Sequence, residues 1–205
     1  MKRITLFFLA IIFAITILGD NILLSVIKNR VTLDVNQEKL LIKVLSYIEK
    51  VSSEPLLVLA VMEQESTYRW THGDSGKAIG FMQIHLATAQ FIAKKYKNYL
   101  YSIGIKNLDI KTEHDLIITP IRTTILAVLW LEYNLKNTDN LFIGISRYNG
   151  INNDKYVYSV LNRYYNIIQI YERLVEQEHL KLRRWKGDFD IIKLSIFSYC
   201  FMGSN

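Results

Sequence analysis

Glu65 closes an apolar run, Leu56 to Met62, and has Met62, Val61 and Val58 three, four and seven residues before it. On a helix those positions share one face with Glu65, so its carboxyl is set against apolar surface. The end of a helix adds the negative pole of the macrodipole, where a cation would be the ordinary choice. Both effects hold a carboxyl protonated towards neutral pH. Such a group can hand its proton to the leaving oxygen of a glycosidic bond. Position alone suits equally well the polar end of a buried helix, Glu63-Gln64-Glu65.

The elements that must position this carboxyl read as helices. Leu40, Leu41, Val44, Leu45 and Ile48 recur with helical rather than alternating spacing. Ser53 before Glu54-Pro55 predicts a capped helix start with proline in the first turn, and Thr119-Pro120 repeats the signal. The second of these helices runs through Leu126, Val128, Leu129, Trp130 and Leu131 as a core element. A third starts near Asp154 and carries Tyr156, Val160, Tyr164, Ile167, Ile168 and Tyr171 towards about Trp185. No hairpin series is visible. Between the helices lie a glycine-bearing loop, His72 to Gly80, and a turn, Tyr148-Asn149-Gly150.

Composition bounds the rest. The chain has 205 residues, half of them apolar, which suits one globular domain and a short appendage. Its net charge of +6 fits an anionic neighbour, whether peptidoglycan stems, acidic lipid or nucleic acid. The single cysteine, Cys200, excludes an internal disulfide framework, a Cys-based zinc site and lipid attachment after the first apolar stretch. His72, His85, His114 and His179 lack metal-ligand spacing, and no metal is expected. Lys181, Arg183, Arg184 and Lys186 read as a solvated helix end.

Lys2 and Arg3 precede an uncharged run, Ile4 to Leu18, the length of an export signal and shorter than the ~20 residues that span a bilayer. The absence of small residues at the expected cleavage spacing, and the apolar residues resuming at Ile22, favour an uncleaved anchor over a cleaved signal. The expected organisation is a signal or membrane anchor over 1–27, an all-helical domain over 33–185, and an apolar tail over 186–205 that packs onto it or lies at a membrane interface.

After Glu65-Ser66 and the glycine loop comes Ala78-Ile79-Gly80-Phe81-Met82-Gln83-Ile84. This order resembles the lytic transglycosylases of the soluble-transglycosylase, lysozyme-like fold, whose pattern is Glu-Ser, a loop ending Gly-Leu-Met-Gln-Ile, then a Tyr-Asn-x-Gly turn. Tyr148-Asn149-Gly150 supplies the turn, and Tyr156-Val157 with Val160 is similar to the family's Tyr-Val-x-x-Val helix start. The likeness runs from about residue 38 to 175.

The resemblance implies an all-α, lysozyme-like enzyme acting on peptidoglycan glycan strands outside the cytoplasmic membrane, with no cofactor and no nucleic-acid partner. It makes Glu65 the one catalytic carboxylate. The sugar's own C6 hydroxyl attacks the anomeric carbon and leaves a 1,6-anhydro-N-acetylmuramic end, so the second carboxyl of ordinary glycosidases is not required. Gly80, Met82, Gln83, Tyr148 and Asn149 are the expected sugar-site residues, with the Tyr148 phenol reaching the acetamide or Glu65. Ser66 supports the catalytic helix, and Tyr68, Trp70, Tyr156 and Tyr158 are stacking candidates.

The chain departs from the family at several positions. Nine residues after the Glu, where relatives place a serine, stands Asp74, followed by Ser75, Gly76 and Lys77. Either the loop shifts and Ser75 substitutes, or Asp74 takes the spot. A cleft-facing Asp74 would hold a water as second carboxylate and make a lysozyme-type muramidase; otherwise it is a solvated turn residue. Phe81 replaces leucine, and Asn152 stands where many relatives carry a glutamate ahead of the tyrosine. A non-catalytic, glycan-binding part of an envelope-spanning secretion or phage machine is the rival of another class.

Overall fold

The computed structural model describes residues 22–138, 140–150 and 153–202, with side chains through Leu180. It is predominantly helical. Helix α1 is Ile22–Lys28, α2 Val35–Val51 and α3 Pro55–Ser66. Three two-residue strands follow, β1 His72–Gly73, β2 Ala78–Ile79 and β3 Ile84–His85. Then come α4 Leu86–Lys95, α5 Lys97–Ser102, α6 Glu113–Ile117, α7 Pro120–Lys136, α8 Leu141–Tyr148 and α9 Asp154–Met202.

Helix α2 starts on Asp34, whose carboxylate accepts from the Asn36 and Gln37 amides at 2.8 and 2.9 Å while the Gln37 side chain closes a capping box. Its apolar stripe, Leu41, Val44, Leu45 and Ile48, is fully buried. In α3 every residue from Leu57 to Met62 is buried, as a run apolar on all sides requires. Helix α7 is the second such element, buried from Arg122 through Leu129. Helix α9 packs along α3 and α1, and α7 packs against α2, α4 and α8.

The predicted caps are corrected. Neither Glu54 nor Thr119, the residues at the two cap positions, makes a side-chain cap bond. The Ser53 hydroxyl instead donates to the buried Glu132 carboxylate of α7 at 3.0 Å, with the Ser53 amide at 2.9 Å and the Ser52 hydroxyl at 2.7 Å. The Thr119 hydroxyl turns back to the Asp115 carbonyl at 2.7 Å. A buried carboxylate needs donors more than a helix end open to water does.

Two further differences concern strands and boundaries. The glycine loop folds as an antiparallel sheet ordered β1-β2-β3, pairing His72 with Ile79 and Ile79 with Ile84. Strands of two residues leave no alternation to read. The domain core also takes in Leu23, Val26 and Ile27, residues assigned from sequence to the leader segment. Met1 to Asn21 lie outside the described residues, and among the described residues no helix is long and apolar enough to cross a membrane. The backbone of α9 continues unbroken to Met202 through the segment read as a separate tail, whose side chains lie outside the description.

Candidate active site

Glu65 is the next-to-last residue of α3, and the chain leaves the helix abruptly after it. Thr67 and Tyr68 both take left-handed backbone conformations, with φ of 52° and 59°. That region is uncommon for a β-branched residue and must be held by its surroundings. Here the Tyr68 ring is wholly buried, and its hydroxyl donates to Glu63 at 3.1 Å. The turn frees the end of α3 to face a cleft of about 300 Å³ lined by Glu65, Asp74, Gln83, His85, Thr88, Trp130, Tyr148 and Asn149, among others.

The Glu65 carboxyl is half-buried there. Burial lifts its pKa above the ordinary carboxylate value, while a hydrogen bond from the Tyr156 hydroxyl to Oε1, at 2.5 Å, opposes part of that rise. Tyr156 belongs to the first turn of α9 and is itself buried, which pushes its own pKa far up and keeps the hydroxyl a donor. The pair can therefore hold a proton on Glu65 and still steady the anion once the proton has left.

The loop that walls the cleft is tied down by side chains donating to its backbone. Ser66 at the end of α3 donates to the Phe81 carbonyl at 2.8 Å, and Tyr148 at the end of α8 donates to the Met82 carbonyl at 2.6 Å. Gln83, at φ 50°, donates its amide nitrogen to the Gly80 and Thr71 carbonyls at 2.6 and 3.2 Å. Gly80 has φ +85°, and a Cβ there would lie 2.4 Å from the Trp70 ring. Its close approach is thus to an indole of the protein.

Of the residues singled out from sequence, Glu65, Asp74, Gln83, Tyr148 and Asn149 meet at the cleft. Met82 is buried in the core, and Ser75 is exposed on the loop beside the cleft. Asp74, at φ 46°, lies on the cleft wall with its carboxylate 4.0 Å from His85 Nε2. Lys77 is exposed. Tyr68 and Tyr156 are buried, Trp70 packs edge-on against Phe81, and Tyr158 is exposed beside Phe142. Asn152 lies outside the described residues, as do the side chains of the basic cluster from Lys181 to Lys186.

From sequence the Tyr148 phenol is expected to reach the acetamide or Glu65 and Tyr156 to stack on sugar; in the structure Tyr156 bonds Glu65 and Tyr148 bonds the Met82 carbonyl. Sequence reasoning overlooked Trp130, Thr88 and His85. Trp130 sits in an apolar helix that reads as core throughout, yet its ring reaches the cleft and its Nε1 donates to the Tyr148 carbonyl at 3.3 Å. His85 carried a usable signal, since it directly follows the Met82-Gln83-Ile84 motif.

Behind the cleft Glu63 anchors the same helix end. Arg30 donates to both its oxygens at 3.0 and 2.6 Å, and Arg163 of α9 stands 3.8 Å away. Gln64 accepts from Ser159 of α9 at 2.7 Å. Three consecutive polar residues thus serve three surroundings: Glu63 fixes α3 to its neighbours, Gln64 joins α9, and Glu65 meets the cleft.

No curated protein and no solved structure matches the chain. The model of the transglycosylase SLT domain matches residues 44–160, more than half of the chain, and spans Glu65, the looped wall and the first turn of α9. The chain belongs to the transglycosylase SLT family and is a lytic transglycosylase of the cell envelope that acts on peptidoglycan glycan strands.

Proposed function

We propose that this enzyme cleaves the β-1,4 bond between N-acetylmuramic acid and N-acetylglucosamine with Glu65 as its only acid and base, leaving 1,6-anhydro ends. The observation that carries the reading is a carboxyl in a cleft whose burial favours the protonated form and whose anion has a donor in Tyr156. In the first half, Glu65 gives its proton to the glycosidic oxygen as the bond to the anomeric carbon breaks. In the second, the C6 hydroxyl of the same sugar forms the new bond to that carbon and returns its proton to Glu65. One C–O bond is lost and one is gained, and water is not consumed.

Gln83, Tyr148 and Asn149 border the sugar, with the Gln83 side-chain oxygen and the Asn149 amide supplying polar contacts. Ser66 and Tyr148 act mainly by holding the Phe81-Met82 backbone. Replacement of Glu65 by Gln keeps shape and removes the proton. It should lower release of soluble fragments from purified sacculi by roughly a thousandfold or more while the circular dichroism spectrum stays that of the parent. Unchanged release would overturn the mechanism.

One observation favours a second reading. Asp74 lines the same cleft with His85 beside it, a pair suited to orienting a water. A muramidase of that kind yields reducing ends, and mass spectrometry of the digest separates the two products. We place the enzyme outside the cytoplasmic membrane, held there by the apolar run Ile4 to Leu18 that precedes α1.

A further inference from the structure

The cleft does not end at Trp130. A second hollow of about 390 Å³, lined by Ala87, Thr88, Phe91, Trp130 and Tyr133, shares Thr88 and Trp130 with the space that holds Glu65. Its floor is a cluster of three rings from α4 and α7. Trp130 and Tyr133 stack with centroids 5.6 Å apart and planes at 18°, while Phe91 stands edge-on to them at 6.2 and 5.5 Å. Phe91 is 45% exposed, although a ring that size would ordinarily be covered. Lys95 holds its ammonium 4.9 Å from the Tyr133 ring centre and 5.9 Å from that of Phe91.

We propose that this cluster is a binding platform for an N-acetylhexosamine ring of the glycan strand, distant from the bond that breaks. The proposal rests on the glycan-cleaving reading of the cleft. A pyranose offers an apolar C–H face and a polar rim, which matches the exposed Phe91 ring with an indole, a phenol and an ammonium group beside it. Rings that already brace one another lose little freedom when a ligand arrives. Nucleobases also stack on such surfaces, but a polyphosphate strand would have to run past Glu65 and Asp74. A neutral sugar backbone meets no such repulsion, and the Lys95 ammonium over the Tyr133 ring suits the carboxylates that peptidoglycan carries.

The test uses the full chain with Glu65→Gln, titrated with β-1,4-linked N-acetylglucosamine hexasaccharide and disaccharide, and the active chain assayed on sacculi. Adding Phe91→Ala or Tyr133→Ala should weaken hexasaccharide binding about fivefold, the value of one ring contact, and leave disaccharide binding within error. On sacculi the same changes should raise KM with kcat held. Phe91→Leu, which keeps apolar bulk without a ring, should behave as Phe91→Ala and guards against misfolding, as does a thermal melt of each variant. Unaltered hexasaccharide affinity and KM in folded variants overturns the platform while cleavage by the parent keeps the functional reading. Ring-dependent binding by a parent that cleaves nothing supports the platform and overturns that reading. Binding of neither sugar overturns the platform.

Discussion

At the scale of residues, the central contrast is between two phenols. Tyr148 borders the cleft but spends its hydroxyl on the Met82 carbonyl, whereas Tyr156 spends its own on Glu65. A donor to the carboxylate favours the charged form, so it opposes burial. Removing it with Tyr156→Phe leaves burial unopposed and raises the Glu65 pKa further. An acid is active only while protonated. The descending, high-pH limb of kcat/KM should therefore move to higher pH in Tyr156→Phe, and kcat should fall because the anion formed midway has lost its donor. A pH profile on sacculi or on soluble glycan strands reads both effects. A limb that moves to lower pH would mean that the limb belongs to another group.

At the scale of elements, the looped wall is where strain gathers. Thr67, Tyr68, Asp74, Ser75 and Gln83 all adopt positive φ without being glycine, and all lie between the end of α3 and β3. Such conformations persist only where neighbours over-determine them, and they gather at working sites. Gly80 combines positive φ with the Trp70 ring at its back; Gly104 has φ +84° and open space around it. Gly104→Ala should thus cost about 1 kcal/mol, from conformation alone. Gly80→Ala should cost about 2–3 kcal/mol, because the indole must also move. Denaturant midpoints of the two variants measure the difference. The ends of the elements were less legible than their middles. The run Leu57 to Met62 announces a buried helix because every residue agrees, but nothing beside Ser53 indicates Glu132, far along the chain, as its partner. Which phenol meets Glu65 depends likewise on the rotation of α9 about its axis, a property of packing between distant segments.

At the scale of the whole molecule, the motifs read from sequence fall around one cleft, since Glu-Ser, the Gly-Phe-Met-Gln-Ile stretch and the Tyr-Asn turn each carry local chemistry. The extent of the domain did not follow from them. Helix α1 looked like the end of a leader because it continues an apolar run, yet Leu23, Val26 and Ile27 are buried with the core and Arg30 pairs with Glu63. Each such apolar side chain contributes roughly 1.5–3 kcal/mol on burial. Their joint loss would approach the ~5–15 kcal/mol that holds a domain together, before counting the unpaired Glu63 carboxylate. A chain beginning at Leu33 should accordingly lose its cooperative thermal transition, and one beginning at Asn21 should keep it. Calorimetry of the two decides. The same architecture has an effect on what can be cut. The proton source is mounted on α3, buried on all sides from Leu57 to Met62, and the looped wall is joined to that helix by the bond Ser66 donates to the Phe81 carbonyl and rooted in the core by Ile79, Phe81 and Met82. Acid and wall are therefore held at one spacing, and a strand bearing bulky peptide branches must present its sugar edge to that fixed gap.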